Sequence, residues 1–310
     1  TDEHLWAESY DRDLRDVLRL QSEVARTIAQ QIKVTLTPQG QAQMVEARPV
    51  NPAAHEAYLK GRFHWNKRTA DGLKKAVEYF EQAIALQPDW PLGYAGLADA
   101  YMVLPTHLSI SPSETISKAR AAAGKALEMD ESLAEAHATM AYIAAEYDWD
   151  WAAAERKVQR VLALSPNYAT AHQIYARQLM FTGRHDEAIR EITKAQELDP
   201  LSVIISLNVG FVHRYKGDFE QAETWFRKTL AIDPDFAYAH ANLAGIMFLK
   251  GRLAEAITEA REAVRLSNNE PSDFLGYVCA KGGQAEEARR ILDEFAARST
   301  DAYVAPTHFA

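Results

Sequence analysis

Apolar positions return with a helical period along most of the chain. In "ATAHQIYARQLMF" (169–181) they fall at helical spacing, which predicts an amphipathic helix. Gly183 follows, and glycine ends a helix readily because it accepts the left-handed conformation. "HDEAIREITKAQEL" (185–198) then carries Ala188, Ile192, Ala195 and Leu198 on one stripe, and Pro200 stops it. The same grammar returns 34 residues on: "GRHDEAIREITKAQELDP" (183–200) is answered by "GDFEQAETWFRKTLAIDP" (217–234).

Small residues extend this register over most of the chain. They mark second helices at Ala76, Ala119, Ala154, Ala188, Ala222, Ala256 and Ala288, with spacings of 43, 35, 34, 34, 34 and 32. First helices are marked at Gly61, Ala98, Ala141, Ala176, Gly210, Ala244 and Gly276, and units close at Pro88, Pro166, Pro200 and Pro234. A single helix pair cannot bury both its faces, so the pairs must stack. The expected fold is all-α: a solenoid of about seven helix pairs over residues 51–302, with 303–310 opening an eighth. "NKRTADG" reads as an extra-long first turn. A nine-residue insertion surrounds "LPTHLSISPSE", in which Ser111, Pro112 and Glu114 predict a capping box.

Residues 1–50 leave the register. "HLWAESY" alternates as a strand would, and Val24, Ile28, Ile32 and Leu36 predict a helix capped by Ser22. "PQGQAQMVEARPVNP" reads as a linker. The absence of an initial methionine suggests a chain cut from something larger.

The repeated segments resemble the tetratricopeptide repeat family, whose 34-residue helix–turn–helix keeps small residues at its eighth and twentieth positions. Phe80, Ile192 and Phe226 stand at the twenty-fourth position, where the family keeps a large apolar residue. The resemblance covers about 250 of the 310 residues and implies a right-handed superhelix that binds protein or peptide in its concave face. "LWAESYDRDLRDVLRLQSEVARTIA" (5–29) resembles the tail of a small α/β domain preceding such arrays in bacterial signalling proteins. In that setting the array follows an adenylate-cyclase, protein-kinase or winged-helix domain.

Composition narrows the function. A net charge of -9 argues against a duplex-binding surface. Cys279 is the single cysteine, so neither a disulfide framework nor a four-cysteine zinc site can form; a buried inert thiol is expected. No run of 18 apolar residues occurs, which argues against membrane insertion. The expected location is the cytoplasm, or the periplasm if a longer chain carries a transmembrane segment. His137, His172 and His240 occupy equivalent places in three first helices, too far apart to share a zinc; half-buried histidines with backbone or water partners are expected. "DWDW" (148–151) reads as a helix cap by Asp150 with packing tryptophans, or as an aromatic ligand box. No G-x-S-x-G, P-loop or G-x-G-x-x-G is present, so the reading is not an enzyme, with no cofactor and no metal.

What remains is a surface. In the family the first helices line the concave side. The corresponding positions carry Tyr142, Arg177, Met180, Phe181, Asn208, Phe211, Arg214, Tyr215, Tyr238, Asn242, Phe248, Phe274 and Tyr277. Aromatics, methionine and arginine are the types enriched at interface cores, though packing between neighbouring helices explains some of them equally well. The family's clamp for a C-terminal carboxylate is absent, since Ala95, Asp99, Ala138 and Tyr142 stand at its positions. A protein- or peptide-binding scaffold is expected, with Arg177 and Arg214 meeting an acidic group. A small-molecule sensor is the rival reading. The terminal unit is expected to expose Ile291, Leu292 and Phe295 and to favour a homodimer through the ends.

Overall fold

The computed structural model describes residues 50–106, 108, 110–267 and 272–298. The expected N-terminal strand and helix, the linker up to residue 49 and the start of an eighth unit lie outside the described residues. Among the described residues there is no strand; fourteen α-helices form seven pairs. The first helices are α1 (Pro52–Asn66), α3 (Pro91–Val103), α5 (Ala134–Glu146), α7 (Ala169–Phe181), α9 (Val203–Lys216), α11 (Ala237–Leu249) and α13 (Asp273–Lys281). The second helices are α2 (Ala70–Leu86), α4 (Pro112–Met129), α6 (Trp151–Leu164), α8 (His185–Leu198), α10 (Phe219–Ile232), α12 (Leu253–Leu266) and α14 (Ala285–Arg298).

Each second helix packs against its own first helix and against the first helix of the next unit. From α1 to α9 each first helix also meets the following first helix, whereas second helices make no comparable approach to each other. The stack therefore curves with first helices inside.

Small residues make the close approach work. Ala98, Ala141, Ala176 and Ala244, with Ala76, Ala119, Ala154, Ala188, Ala222 and Ala256, are fully buried. The rings of Phe80 and Phe226 fill the space that glycines leave. A Cβ on Gly61 would lie 2.6 Å from Phe80 Cε1, and one on Gly210 would lie 2.4 Å from Phe226 Cε1. Burying such a ring contributes about 1.5–3 kcal/mol. Gly276 and Ala288, at the end of the stack, are only half-buried.

Four of the seven turns share one geometry. Gly183, Gly217, Gly251 and Gly283 adopt φ of +78°, +85°, +74° and +76°. The following residue donates its N–H five places back, as from Arg184 to the Leu179 carbonyl at 2.8 Å, and the glycine donates three places back. This is a Schellman ending, which satisfies carbonyls the helix would leave orphaned. Among the described residues, Arg68 (φ +50°) and Trp149 (φ +56°) are the non-glycine residues with positive φ.

Cations tie the second helices together on the outer face. Arg184 spans from the turn before α8 to Glu155 of α6 at 2.8 Å. Lys250 and Arg252 both reach Glu223 of α10, at 2.7 and 3.0 Å, and Arg261 of α12 reaches Glu287 of α14 at 2.6 Å. This ladder leaves no periodic apolar signal and was not foreseen.

Several expectations need correction. The first turn is not long: Ala70, Asp71 and Gly72 belong to α2, capped by Thr69, whose hydroxyl accepts from the Gly72 N–H at 3.1 Å. The capping box does not close. Ser111 makes no cap bond, its hydroxyl lying 2.9 Å from that of Ser113, and Glu114 is held by Lys118. Asp150 does cap α6, accepting from the Ala153 N–H at 2.9 Å, but Trp149 is 70% exposed rather than packed. Ile291 and Phe295 are not exposed; both are buried against α12 and α13, leaving Leu292 outside.

Candidate peptide-binding groove

The proposed groove residues divide by what they touch. Arg177 is already paired: its Nη2 and Nε donate to Glu146 Oε1 at 2.9 and 3.2 Å, and its guanidinium lies over Tyr142 and Phe181. Both partners of this ion pair are about one-fifth exposed. Arg177 is therefore a brace between α5 and α7, not the free cation the sequence suggested. Arg214 differs. Its partner is the neutral Asn242, whose Oδ1 accepts from Nη1 at 3.2 Å.

Asn208 and Asn242 are buried, and each donates its amide to a carbonyl of its own helix, at Ile204 and Tyr238. Asn208 Oδ1 is left without a hydrogen-bond partner. Met180 and Phe211 are buried as well. Met180 and Asn242 pack rather than present a face, whereas Asn208 and Phe211, though buried, also edge the inner cavity, because the inner stripe of a first helix is shared between groove and neighbour. Phe181, Tyr215, Tyr238 and Tyr277 keep exposed edges. Phe181 meets Tyr215 edge-on at 5.4 Å, Phe211 lies 5.9 Å from Tyr238, and Phe248 contacts Phe274 and Tyr277. Tyr142 is half-buried, and burial raises its hydroxyl pKa.

A cavity of about 130 Å³ opens on the concave side, walled by residues from α1 to α11. Trp65, Arg68, Asp99, Thr139, Gln173 and Ile174 line it alongside Tyr142, Arg177 and Phe211. Asp99 is 8% exposed and fully engaged. It accepts from Arg62 Nη1 at 2.9 Å and from the Thr139 hydroxyl at 2.6 Å, and its carbonyl accepts from Trp65 Nε1 at 3.1 Å. Arg68 and Asp99 escaped the sequence reading for different reasons. Arg68 stands in a turn, outside the inner-face positions, and Asp99 was read only as a departure from the carboxylate clamp.

Two of the three equivalent histidines have carboxylate partners that periodicity does not reveal. His172 and His240 place Nδ1 2.7 Å from Glu191 and Glu259, and Nε2 near the carbonyls of Pro166 and Pro234. His137 meets only the Glu131 carbonyl. The Glu259 hydrogen bond raises the pKa of His240. A wider outer hollow of about 520 Å³ beside His240 is rimmed by Glu259, Arg261, Glu262 and Arg265, which are already paired. Cys279 is buried, and burial pushes its thiol pKa up. Among the described residues no group of three or more His, Cys, Asp or Glu is placed to hold a metal ion, and no helix is long and apolar enough to cross a membrane.

Comparison with known proteins follows the same geometry. A model of the tetratricopeptide repeat matches residues 210–271, and a second matches 273–294. The chain carries tetratricopeptide repeats. It is 29% identical over 140 residues to "Putative adenylate cyclase 3" of Rhizobium meliloti (strain 1021), covering 44% of this chain and 24% of that protein. Identity to the transcriptional regulator HilA of Salmonella typhimurium is 22% over 165 residues, 53% of this chain and 30% of the relative. Tetratricopeptide repeat protein 37 of Xenopus laevis is 25% identical over 248 residues, 78% of this chain and 15% of its own length. The chain thus spans less than a third of each of these relatives. Among solved structures, a tetratricopeptide repeat protein from Parabacteroides merdae superposes with a TM-score of 0.51 at 18% identity, covering 83% of this chain and 96% of that one. The Cut9–Hcn1 assembly of the APC/C gives 0.54 at 16% identity, over 86% of this chain and 53% of that one. Tetratricopeptide folds are in general protein-interaction scaffolds without catalysis, and this array has that architecture.

Proposed function

We propose that this array is the partner-binding region of a larger bacterial regulatory protein and that its concave face takes an extended, acidic segment of another protein, without catalysing a reaction. The observation that carries the reading is Arg214, a concave guanidinium bonded to a neutral amide, set among the exposed edges of Phe181, Tyr215 and Tyr238. Aromatic edges supply contact area at small entropic loss, and an arginine without a carboxylate supplies orientation. The likeness to a named adenylate cyclase and to a transcriptional regulator supports a regulatory setting, for which we propose the cytoplasm. A small-molecule sensor is less well supported, because the inner cavity of about 130 Å³ falls below the roughly 300–1,000 Å³ of ordinary ligand pockets. A peptide-array screen tests the proposal. Acidic–aromatic sequences should be enriched, and Arg214→Ala should weaken them by about 1–3 kcal/mol. Enrichment of basic or uncharged sequences, or an R214A protein that binds as the parent does, would refute it.

A further inference from the structure

Arg68 is the groove residue that packing does not explain. It ends α1 in the left-handed region, at φ +50°. It stands seven places after Gly61, just as Gly183, Gly217, Gly251 and Gly283 stand seven places after Ala176, Gly210, Ala244 and Gly276. Where four later turns use glycine, this one holds a large side chain in a conformation that strains it. Its N–H keeps the bond three places back, to the Trp65 carbonyl at 3.3 Å. Residues held in such conformations gather at ligand sites.

The side chain turns over Trp65, with its guanidinium carbon 3.6 Å from the ring centroid, and lines the inner cavity. The carboxylate that shares the cavity, Asp99, is occupied by Arg62 and Thr139. Among the described residues Arg68 makes no ion pair, and its Nε is buried with no hydrogen-bond partner. Burial pulls its pKa down to about 10, against the pull of Asp99. A buried donor on a charged group is left unpaired only at a cost, which an anion entering the cavity removes.

We propose that Arg68 receives the acidic side chain of a bound peptide: a glutamate or aspartate carboxylate accepts from its guanidinium, and an adjoining apolar residue seats against Ile174, Leu207 and Phe211. This rests on the peptide-groove reading above and names its anchor. A single carboxylate suits the site better than a phosphate dianion, since one free guanidinium faces the ligand while the Asp99 carboxylate also lines the cavity.

The test uses the whole chain and two probes, acetyl-SALELAS-amide and acetyl-SALQLAS-amide. The parent should prefer the glutamate peptide by about tenfold or more. Arg68→Gly should bring that ratio near one while melting no lower than the parent, because glycine relieves the turn. No preference in the parent, or a preference that survives R68G, overturns the proposal. Sodium butyrate and inorganic phosphate are then titrated against the Arg68 Nε–H resonance, assigned by its loss in Arg68→Lys. A butyrate shift without peptide binding keeps the carboxylate receptor and sinks the peptide groove. Peptide binding without a butyrate shift sinks the receptor and keeps the groove, and tighter phosphate than butyrate overturns the carboxylate assignment.

Discussion

Gly210 and Gly245 sit in neighbouring first helices and should answer the same substitution with opposite signs. Alanine in place of a helix-interior glycine gains about 0.8–1 kcal/mol of helix propensity. At Gly245 the added Cβ meets nothing closer than Arg214 Nη1 at 3.7 Å, an ordinary contact. Gly245→Ala should therefore stabilise by about 0.5–1 kcal/mol. At Gly210 the Cβ would lie 2.4 and 2.6 Å from Cε1 and Cδ1 of Phe226, whose ring is fully buried and bounded by Phe211 at 5.9 Å. An overlap of that depth belongs at the upper end of overpacking losses, about 3 kcal/mol, leaving a net destabilisation of about 2 kcal/mol. Urea unfolding measures both variants. Because stacked repeats can unfold piecewise, hydrogen exchange of the α9 and α10 amides should show where the loss falls. Phe226→Leu in the G210A background should cost less than Phe226→Leu alone, since the ring is then already displaced. A Gly210→Ala protein as stable as the parent, or strict additivity with Phe226→Leu, refutes the ring-in-glycine packing.

Two further outcomes concern titration. Burial opposes the charge of Glu223, but hydrogen bonds from Lys250, Arg227 and Arg252 outweigh it and hold its carboxyl at about 2. A lowered folded pKa stabilises above the unfolded value near 4.5 and loses that contribution as pH falls toward 2. Glu223→Gln should thus lower stability by about 1–3 kcal/mol at pH 7 and flatten the acid limb of the unfolding curve; a parental acid limb in the variant would count against the network. His240 has the opposite sign, because its pKa is raised by Glu259. Its contribution is complete below about pH 6.5 and is lost as pH rises through the folded value. The melting-temperature gap between parent and His240→Asn should therefore be wider at pH 5.5 than at pH 8.5, and a gap independent of pH would show that the pair is not ionic.

The fold was legible because its two signals are local and repeated. Ala188 and Ala222 stand 34 residues apart, and Gly183 and Gly217 end their helices as the sequence pattern requires. The groove was legible only by position. Inner-face counting found Arg214, but it ranked Arg177 equally, because Glu146 lies 31 residues away on another helix and no spacing rule connects them. Arg68 lay outside the counting altogether. Its signal was a missing glycine, visible only when the turns rather than the helices are set in register.

The unequal spacing of inner and outer helices has a mechanical consequence. First helices touch along the inside while second helices are joined by long side chains, Arg184 to Glu155 and Lys250 and Arg252 to Glu223. Tightening the coil pries the outer helices apart and stretches those bridges, so they act as tendons on the convex side. Salt weakens ion pairs more the more exposed they are, so it should slacken the Arg184–Glu155 tendon, whose partners are about one-third exposed, before the more buried Lys250–Glu223 tendon or the inner Arg177–Glu146 brace. Each joint needs to rotate only slightly for the two ends to move far. The array is then a spring that should soften as ionic strength rises.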